Sequence, residues 1–345
     1  MPAPPPVSST EASTPHPPSP SAAMIAQAFD LGRPIEALVP HRYGTHETWA
    51  LATMAGRFLV KRLWVGPDPE WRPDLERAMA FEVRACHAGI DAPRPIEPRA
   101  PAFGCATRVH GFGVFRAYEW IDHRPVDKDD DLGEWLGATL ARLHQLEPLD
   151  ATPEPQSYGL FPAVRWHAWL ADGEAQGRLW APALRKHLAD ILDASRWIGE
   201  AFAEAGGYVV THRAVEPWNV LISERGPVLI DWDTSGPDSA PLEAAHALLD
   251  FAAFGRSAPD AAMVRRALSA YTAEGGAAPG TGRAVIARRV GLRLTRLAER
   301  LEVTLGLVDH RSIEPMQADV RAREQIEELP DLVMRLTGWS TLLAT

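Results

Sequence analysis

The chain has 345 residues, 46% of them hydrophobic, and its 45 Asp plus Glu outnumber its 35 Lys plus Arg to give a net charge of −10. This acidic balance argues against a nucleic-acid partner, which usually needs a basic face, and would suit a cationic small molecule. No apolar run approaches the roughly 18 residues of a membrane span. Two cysteines, Cys86 and Cys105, are too few for a disulfide scaffold. We therefore expect a reduced, cytoplasmic protein with one large domain or two lobes.

Residues 1–23 are rich in Pro, Ser, Thr and Ala. Such a composition cannot bury enough apolar surface to order itself, so it predicts a disordered tail. The segment has no basic start followed by an apolar core and therefore does not resemble a secretory signal. Met24 follows at once, so translation could start at either Met1 or Met24.

Residues 24–121 have the pattern of a small antiparallel sheet with one helix. Apolar or alternating runs predict the strands, and glycines mark the turns. The predicted strands are 48–54, 57–64, 105–110 and 114–121. The first two predict a hairpin around Gly56. The turn that contains Gly44 precedes this hairpin, where such a turn would cover a nucleotide's phosphates.

The one helix of this region is predicted over residues 73–89, with Pro73 near its start and Gly89 as its stop. Glu82 lies on or beside the apolar face of that helix. Two interpretations are open: the carboxylate reaches solvent from the edge of the apolar stripe, or it turns inward to meet a buried cation. The residues that trace the apolar face are Leu75, Met79, Val83 and Cys86.

From residue 122 onward helices dominate, after a hinge at residues 122–125. Apolar residues recur at helical spacing but without a repeat of constant period. The predicted helices cover 132–144, 160–171, 180–204, 241–254, 260–274, 282–307 and 316–338. His144 is predicted to be a structural histidine. The tryptophans predicted to lie in the core rather than in a cofactor site are Trp166, Trp169, Trp180 and Trp197.

The stretch 208–233 organises this helical region. Three short apolar runs, at 208–210, 220–222 and 228–230, predict strands separated by polar turns. Polar residues capable of chemistry follow the ends of these runs. They are His212, Asn219, Asp231 and Asp233. A kinase-type fold presents its metal ligands in this order of strand, loop, strand and strand.

These motifs resemble the aminoglycoside phosphotransferase and choline kinase-like family, and the resemblance covers roughly residues 30–340. The family's loop begins with His and later carries Asn, and His212 and Asn219 match that spacing. Its metal-binding Asp lies in an Ile-Asp-Trp or Ile-Asp-Phe stretch, which Ile230-Asp231-Trp232 matches. Leu140-Ala141-Arg142-Leu143-His144 is similar to a Leu-Ala-x-Leu-His run of a family helix.

The resemblance implies an α+β, two-lobed protein-kinase-like fold with an N-lobe at 24–121 and a helical C-lobe at 122–345. It implies that ATP or GTP binds with Mg²⁺, and that Lys61 contacts the phosphates and is held by Glu82. The other implied nucleotide contacts are Gly44, Glu119, Trp120 and Ile121. The implied metal ligands are Asn219 and Asp231, with Asp233 as a weaker candidate. His212 would brace the loop by hydrogen bonds.

One position departs from the family pattern. Ala214 stands where the family has its catalytic Asp, and alanine cannot accept a proton. Loss of a general base typically costs about 10²–10⁴ in rate. Three interpretations stay open: a degenerate kinase that binds nucleotide, a kinase that uses another carboxylate such as Glu216 or Asp233, or an introduced inactivating substitution. On pattern alone, Glu216 is more simply a surface carboxylate of the loop.

The predicted function is transfer of a nucleotide's γ-phosphate to a hydroxyl of a small molecule. The alternative is a nucleotide-binding pseudokinase with a regulatory or scaffold role. Neither a nucleic acid nor a membrane is an expected partner.

Overall fold

The structure is a computed structural model that describes residues 19–43, 47–63, 71–149, 158–308 and 313–344. These residues fall into two compact units. The described part of the N-terminal unit lies within Met1–Val65 and Ile96–Glu119, and that of the C-terminal unit lies within Gly66–Pro95 and Trp120–Thr345. The predicted turn residue Gly44 lies outside the described residues, as do residues 1–18 of the predicted tail.

The described part of the N-terminal unit is a five-stranded antiparallel sheet with one helix. Strand order is β1-β2-β3-β5-β4. The elements are α1 (Ala22–Phe29), β1 (Val39–Tyr43), β2 (Glu47–Thr53), β3 (Gly56–Leu63), β4 (Thr107–Val109) and β5 (Gly113–Glu119). The hairpin predicted around Gly56 is confirmed as β2 and β3.

Alternation of side chains gives this sheet two faces. Val60 of β3 lies opposite Trp49 of β2 and Ala117 of β5, and all three share a buried cluster with Ile25 of α1. Lys61 follows Val60 and therefore lies on the other face, because successive strand residues point to opposite sides. The backbone of β3 thus places Lys61 away from the face that α1 covers.

Helix α1 was not predicted from the sequence, which placed residues up to 23 in the tail. The helix begins at Ala22 because the side chain of Ser21 accepts a hydrogen bond from the backbone nitrogen of Met24, at 3.2 Å. Its apolar face buries Ile25, Ala26 and Phe29 against the sheet. The sequence pattern did not predict α1 because this helix is short and rich in alanine and has one cap residue, so its apolar periodicity is weak.

The C-terminal unit is mainly helical and carries two small antiparallel sheets, β10-β7 and β6-β8-β9. Its helices are α2 (Trp71–His87), α3 (Gly133–Leu146), α4 (Ala163–Ala175), α5 (Ala181–Ala205), α6 (Ala240–Ala253), α7 (Ala261–Ala273), α8 (Ala287–Leu305) and α9 (Pro315–Trp339). Its strands are β6 (His123–Pro125), β7 (Tyr208–Thr211), β8 (Val220–Ser223), β9 (Gly226–Leu229) and β10 (Gly236–Ser239). No described helix is long and apolar enough to cross a membrane.

Each helix predicted from residue 132 onward is present, but the sequence pattern did not predict β6 or β10. The predicted core tryptophans are confirmed, since all four are buried in the main cluster of this unit. Helix α2 was predicted as part of the N-lobe, whereas it groups with the C-terminal unit. The reason is its apolar face: Phe81 and Ala85 belong to the C-terminal core, and the ring of Phe81 lies 6.1 Å from that of Trp232.

Helices α3 and α7 pack so closely that Gly137 has no room for a side chain. A Cβ on Gly137 would lie 2.0 Å from the Ala267 carbonyl oxygen and 2.7 Å from the Tyr271 nitrogen. Both are backbone atoms, so the clash could be relieved only by separating the helices.

We predict that Gly137→Ala lowers the free energy of unfolding by about 1–3 kcal/mol, because the added methyl overpacks the α3–α7 contact. Gly338→Ala is the matched control, since nothing lies within 4 Å of the corresponding Cβ. That exposed change in α9 should be neutral or stabilising by up to about 1 kcal/mol. Urea unfolding of both variants measures the difference, and equal midpoints would contradict the packing argument.

Candidate functional site

The loop between β7 and β8 begins at His212, whose side chain is fully buried. Its Nε2 lies 3.1 Å from the Ile230 carbonyl oxygen, and its Nδ1 accepts a hydrogen bond from the Ala214 nitrogen at 3.2 Å. Because Nδ1 accepts, Nε2 carries the proton and the ring is neutral. Burial lowers the pKa of His212 to about 4, more than the nearby charges of Glu243 and Asp231 raise it. The imidazole therefore stays uncharged near neutral pH and ties the loop to the end of β9.

Asn219 closes the other end of this loop. Its side-chain Nδ2 donates to the Ala214 carbonyl oxygen at 3.0 Å, and its backbone carbonyl oxygen accepts from the Ile230 nitrogen at 2.9 Å. Ile230 is thus hydrogen-bonded to His212 on one side and Asn219 on the other. The amide nitrogen of Asn219 is committed to the loop, so its Oδ1 is the atom suited to a cation.

Asp231 comes directly after Ile230 and is exposed. Its backbone has φ +68°, in the left-handed region that residues other than glycine rarely adopt. Such conformations persist where the surroundings impose them, often at functional sites. Asp233 lies two residues further on, in a short 3₁₀ turn, and is half-buried. The structure therefore brings His212, Asn219 and Asp231 together around Ile230.

Donor chemistry at this place fits a hard cation. Mg²⁺ takes oxygen ligands and is commonly held by one or two carboxylates together with substrate phosphates. The Asn219 amide and the Asp231 carboxylate are of that kind. Across the described ranges no group of three or more His, Cys, Asp or Glu side chains that could hold a metal is found.

Ala214 is half-exposed in the centre of the loop, and its backbone is used on both sides. Arg213 before it has φ +66°. The loop therefore keeps a defined backbone around a residue whose side chain is only a methyl group.

Glu216, the candidate substitute, is buried, so the expectation of a surface carboxylate was wrong. Its Oε1 lies 3.8 Å from Nε2 of His246 and 4.0 Å from a guanidinium nitrogen of Arg296. Burial raises the pKa of Glu216, and the charge of Arg296 only partly offsets this. The apolar residue before it, Val215, did not reveal this burial, because the spacing of apolar residues indicates which side chains are buried in helices and strands but not in loops.

A buried network of hydrogen bonds and an ion pair supports the loop. This network was not predicted from the sequence. Arg288 is 2% exposed; its Nε donates to Oδ2 of Asp238 at 2.8 Å and its Nη1 to Nδ1 of His246 at 2.7 Å. Its Nη2 donates to the carbonyl oxygen of Arg213. The Tyr158 hydroxyl donates to the same Asp238 oxygen at 2.9 Å. Each charge is thus satisfied, which a buried ion pair requires.

A second buried pair lies beside the first. Nε2 of His144 is 3.0 Å from Oε2 of Glu243, and its Nδ1 is 2.9 Å from the Tyr271 hydroxyl. Burial raises the pKa of Glu243, but the hydrogen bond and charge of His144 outweigh this and lower it. His144 is therefore confirmed as a hydrogen-bonded core histidine.

The remaining predicted site residues are described in their own units. Lys61 is largely buried and lies opposite Thr48 and Arg116 in the sheet. Glu82 is fully buried in α2, so the solvent-reaching interpretation was wrong. The residues between β5 and β6 were predicted to contact the base. Glu119 is exposed at the end of β5, the Trp120 indole donates to Asp122 at 2.9 Å, and the Ile121 carbonyl lies 2.7 Å from Nδ1 of His123.

An α+β fold with a small antiparallel sheet, a helical region and a His–Asn loop followed by Asp defines a phosphotransferase of protein-kinase-like fold. The sequence model described as the phosphotransferase enzyme family matches residues 39–283, and the chain belongs to that family. The resemblance inferred from the motifs is therefore confirmed. No curated protein sequence gives a significant match.

Solved structures share this fold at low identity. Spectinomycin phosphotransferase bound to ADP and spectinomycin has a TM-score of 0.60 at 13% identity, with 92% of this chain and 99% of that chain covered. An aminoglycoside phosphotransferase from Alicyclobacillus acidocaldarius has a TM-score of 0.55 at 17% identity, covering 96% and 97%. A microcompartment-associated aminopropanol kinase has a TM-score of 0.58 at 13% identity, covering 93% and 100%.

We predict that stability falls as pH is lowered from about 6.5 towards 4. The folded pKa of His212 is about 4, below the about 6.5 of an unfolded histidine, so the unfolded state binds more protons in this window. The neutral ring of His212 contributes fully to the free energy of unfolding above the unfolded pKa. At pH 5 that contribution should be smaller by about 2 kcal/mol. The buried His246, whose pKa burial also lowers, acts in the same direction.

Urea unfolding between pH 7 and pH 5 measures this dependence. His212→Gln cannot titrate and should show a shallower slope, whatever its absolute stability. His167→Gln changes an exposed histidine and should keep the slope of the parent. If the parent's midpoint did not change between pH 6.5 and 5, the buried neutral histidines would have no such effect.

Proposed function

We propose that the chain is a small-molecule kinase that binds ATP or GTP with Mg²⁺ and transfers the γ-phosphate to a substrate hydroxyl. The observation that supports this most directly is the arrangement around Ile230. His212 and Asn219 are both hydrogen-bonded to that residue, and the exposed Asp231 follows it. Asn219 and Asp231 would hold Mg²⁺, which neutralises charge on the transferring phosphoryl group.

Ala214 lowers the expected rate but does not remove the reaction. Phosphoryl transfer passes through a loose transition state, and catalysis rests mainly on positioning and electrostatic stabilisation. The missing proton acceptor is worth about 10²–10⁴ in rate. A weakened kinase is therefore the function we favour. Lys61 and Glu82 stay predicted phosphate-binding residues.

The second candidate is a nucleotide-binding pseudokinase, and Ala214 is the observation that favours it. A pseudokinase would keep the metal and nucleotide ligands while losing the proton acceptor. The side chain of Glu216 bears on the choice, because it is buried beside His246 and its pKa is raised, so it is a stronger base than an exposed carboxylate. We propose Glu216 as a substitute proton acceptor, and the variant Glu216→Gln tests this role.

We predict that ATP or GTP with Mg²⁺ raises the melting temperature of the parent and that Asp231→Ala abolishes this shift. Asp172→Ala, on the exposed side of α4, is the matched control and should behave as the parent. No shift with either nucleotide in the parent would overturn the nucleotide-binding proposal.

We also predict that Ala214→Asp raises the rate of nucleotide turnover by about 10²–10⁴, because it restores a proton acceptor at the loop's centre. A parent that is silent while this variant turns over would identify a pseudokinase. A parent that is active and loses activity in Glu216→Gln would identify Glu216 as the substitute. The mass of the product shows whether a phosphoryl group is transferred.

A further inference from the structure

The side chain of Arg213 lies directly before the centre of the loop and is half-buried. Its Nε donates a hydrogen bond to the Tyr158 hydroxyl at 3.1 Å, and its guanidinium lies over the Tyr158 ring, 5.6 Å from the ring centre. Both contacts are attractive, since a cation is drawn to the face of an aromatic ring. Within the described ranges, this side chain has no other hydrogen bond and no ion pair. Tyr158 is therefore the residue that holds it.

Gly236 of β10 lies against the same guanidinium. A Cβ on Gly236 would lie 3.3 Å from Nη1 of Arg213 and 3.6 Å from its Cδ. The first distance is shorter than the about 3.5–4.0 Å of an optimal contact between carbon atoms. The Arg213 side chain therefore fills a slot between the Tyr158 ring and the backbone of β10.

The backbone beside this side chain is bonded on every side. Arg213 has φ +66°, a left-handed conformation that is unfavourable for a residue with a Cβ. Its carbonyl oxygen accepts from Arg288. The nitrogen of Ala214 donates to His212, and its carbonyl oxygen accepts from Nδ2 of Asn219. The Arg213 side chain is attached to the Cα about which this φ turns, so anchoring it keeps the next peptide in place.

Tyr158 is itself held by helices α5 and α8. A Cβ on Gly291 of α8 would lie 2.7 Å from both the Cβ and the carbonyl oxygen of Tyr158, so the two backbones pack closely. The nitrogen of Gly159 donates to Oγ1 of Thr295 in α8 at 2.9 Å. Its carbonyl oxygen accepts from Oγ of Ser195 in α5 at 3.1 Å. The two helices thus fix the position from which Tyr158 reaches the loop.

We propose that Tyr158 is a positioning residue of the candidate site. It holds the Arg213 side chain and so keeps the following peptide in place, and the Ala214 carbonyl oxygen of that loop then orients the amide of Asn219. Partners that orient a metal ligand without touching the metal commonly contribute about 10–100-fold to metal affinity. The effect on a bound cation rests on the proposed function, whereas the hold on the loop does not.

Hydrogen exchange of the Ala214 amide, followed by NMR on the full chain, measures this hold. Tyr158→Phe keeps the ring and removes the hydroxyl. We expect exchange to become about 10–100-fold faster, the range for a hydrogen bond from a charged group. Tyr271→Phe is the matched control, because it removes a buried hydroxyl that lies 2.9 Å from Nδ1 of His144. That variant should leave the exchange at Ala214 as in the parent.

Two outcomes of this measurement overturn the proposal. One is exchange at Ala214 in Tyr158→Phe that equals the parent's. The other is equal acceleration in Tyr158→Phe and Tyr271→Phe, which would show a general loss of stability rather than a hold on the loop.

Arg213→Met tests whether the effect passes through the Arg213 side chain. Tyr158 also donates to Asp238 at 2.9 Å, which gives its hydroxyl a second route to the loop. On the proposed route, the variant with both Arg213→Met and Tyr158→Phe exchanges no faster than the faster single variant, because both changes break one contact. Accelerations that multiply would assign the effect to Asp238 and overturn the proposal.

The Mg²⁺ dependence of the nucleotide-induced melting shift is the second readout. Tyr158→Phe should raise the Mg²⁺ concentration of half-maximal shift by about 10–100-fold, because the amide of Asn219 is less well oriented. Tyr271→Phe should keep the parent's value. Faster exchange with an unchanged Mg²⁺ dependence would make Tyr158 a merely structural residue and overturn its positioning role. A parent without any nucleotide shift removes the proposed kinase, and the exchange measurements then decide the hold on the loop alone.

Discussion

The candidate loop depends on one buried cation. Arg288 is satisfied by a carboxylate, an imidazole nitrogen and the backbone carbonyl of Arg213. The last contact holds the peptide next to Ala214, where the chain has φ +66°. A guanidinium that lost one of these acceptors would be a buried charge with an incomplete shell, which is strongly unfavourable. The network thus makes the loop conformation part of the core of the C-terminal unit rather than a property of the loop's own sequence.

This support explains how the loop keeps its shape with an alanine at position 214. His212 contacts the Ile230 carbonyl oxygen through its ring Nε2, Asn219 accepts from the Ile230 nitrogen through its backbone carbonyl, and Ala214 takes part through its backbone. The side chain at position 214 is not needed for any of these contacts. The frame that carries Asn219 and Asp231 therefore does not depend on the side chain at position 214.

The charges near the loop do not follow the net charge of the molecule. The chain as a whole is acidic, yet Nη1 of Arg288 lies 2.7 Å from Nδ1 of His246 and a guanidinium nitrogen of Arg296 lies 4.0 Å from Oε1 of Glu216. Local potential depends on which charges are paired, and Asp238 and Asp250 are each used by one arginine.

The sequence by itself determined most of the elements, though not α1, β6 or β10, and the order of the candidate ligands. His212, Asn219 and Asp231 sit at the ends of short apolar runs, and strand boundaries are local signals that composition and turns reveal. The buried tryptophans followed from helical spacing in the same way. Burial of Glu216 and the side on which α2 packs were decided only by the tertiary structure. So was the Arg288 network, whose contact with the Arg213 carbonyl joins positions separated by 75 residues. The physical reason is that a charged side chain is buried only where distant partners satisfy it, and no local pattern encodes those partners.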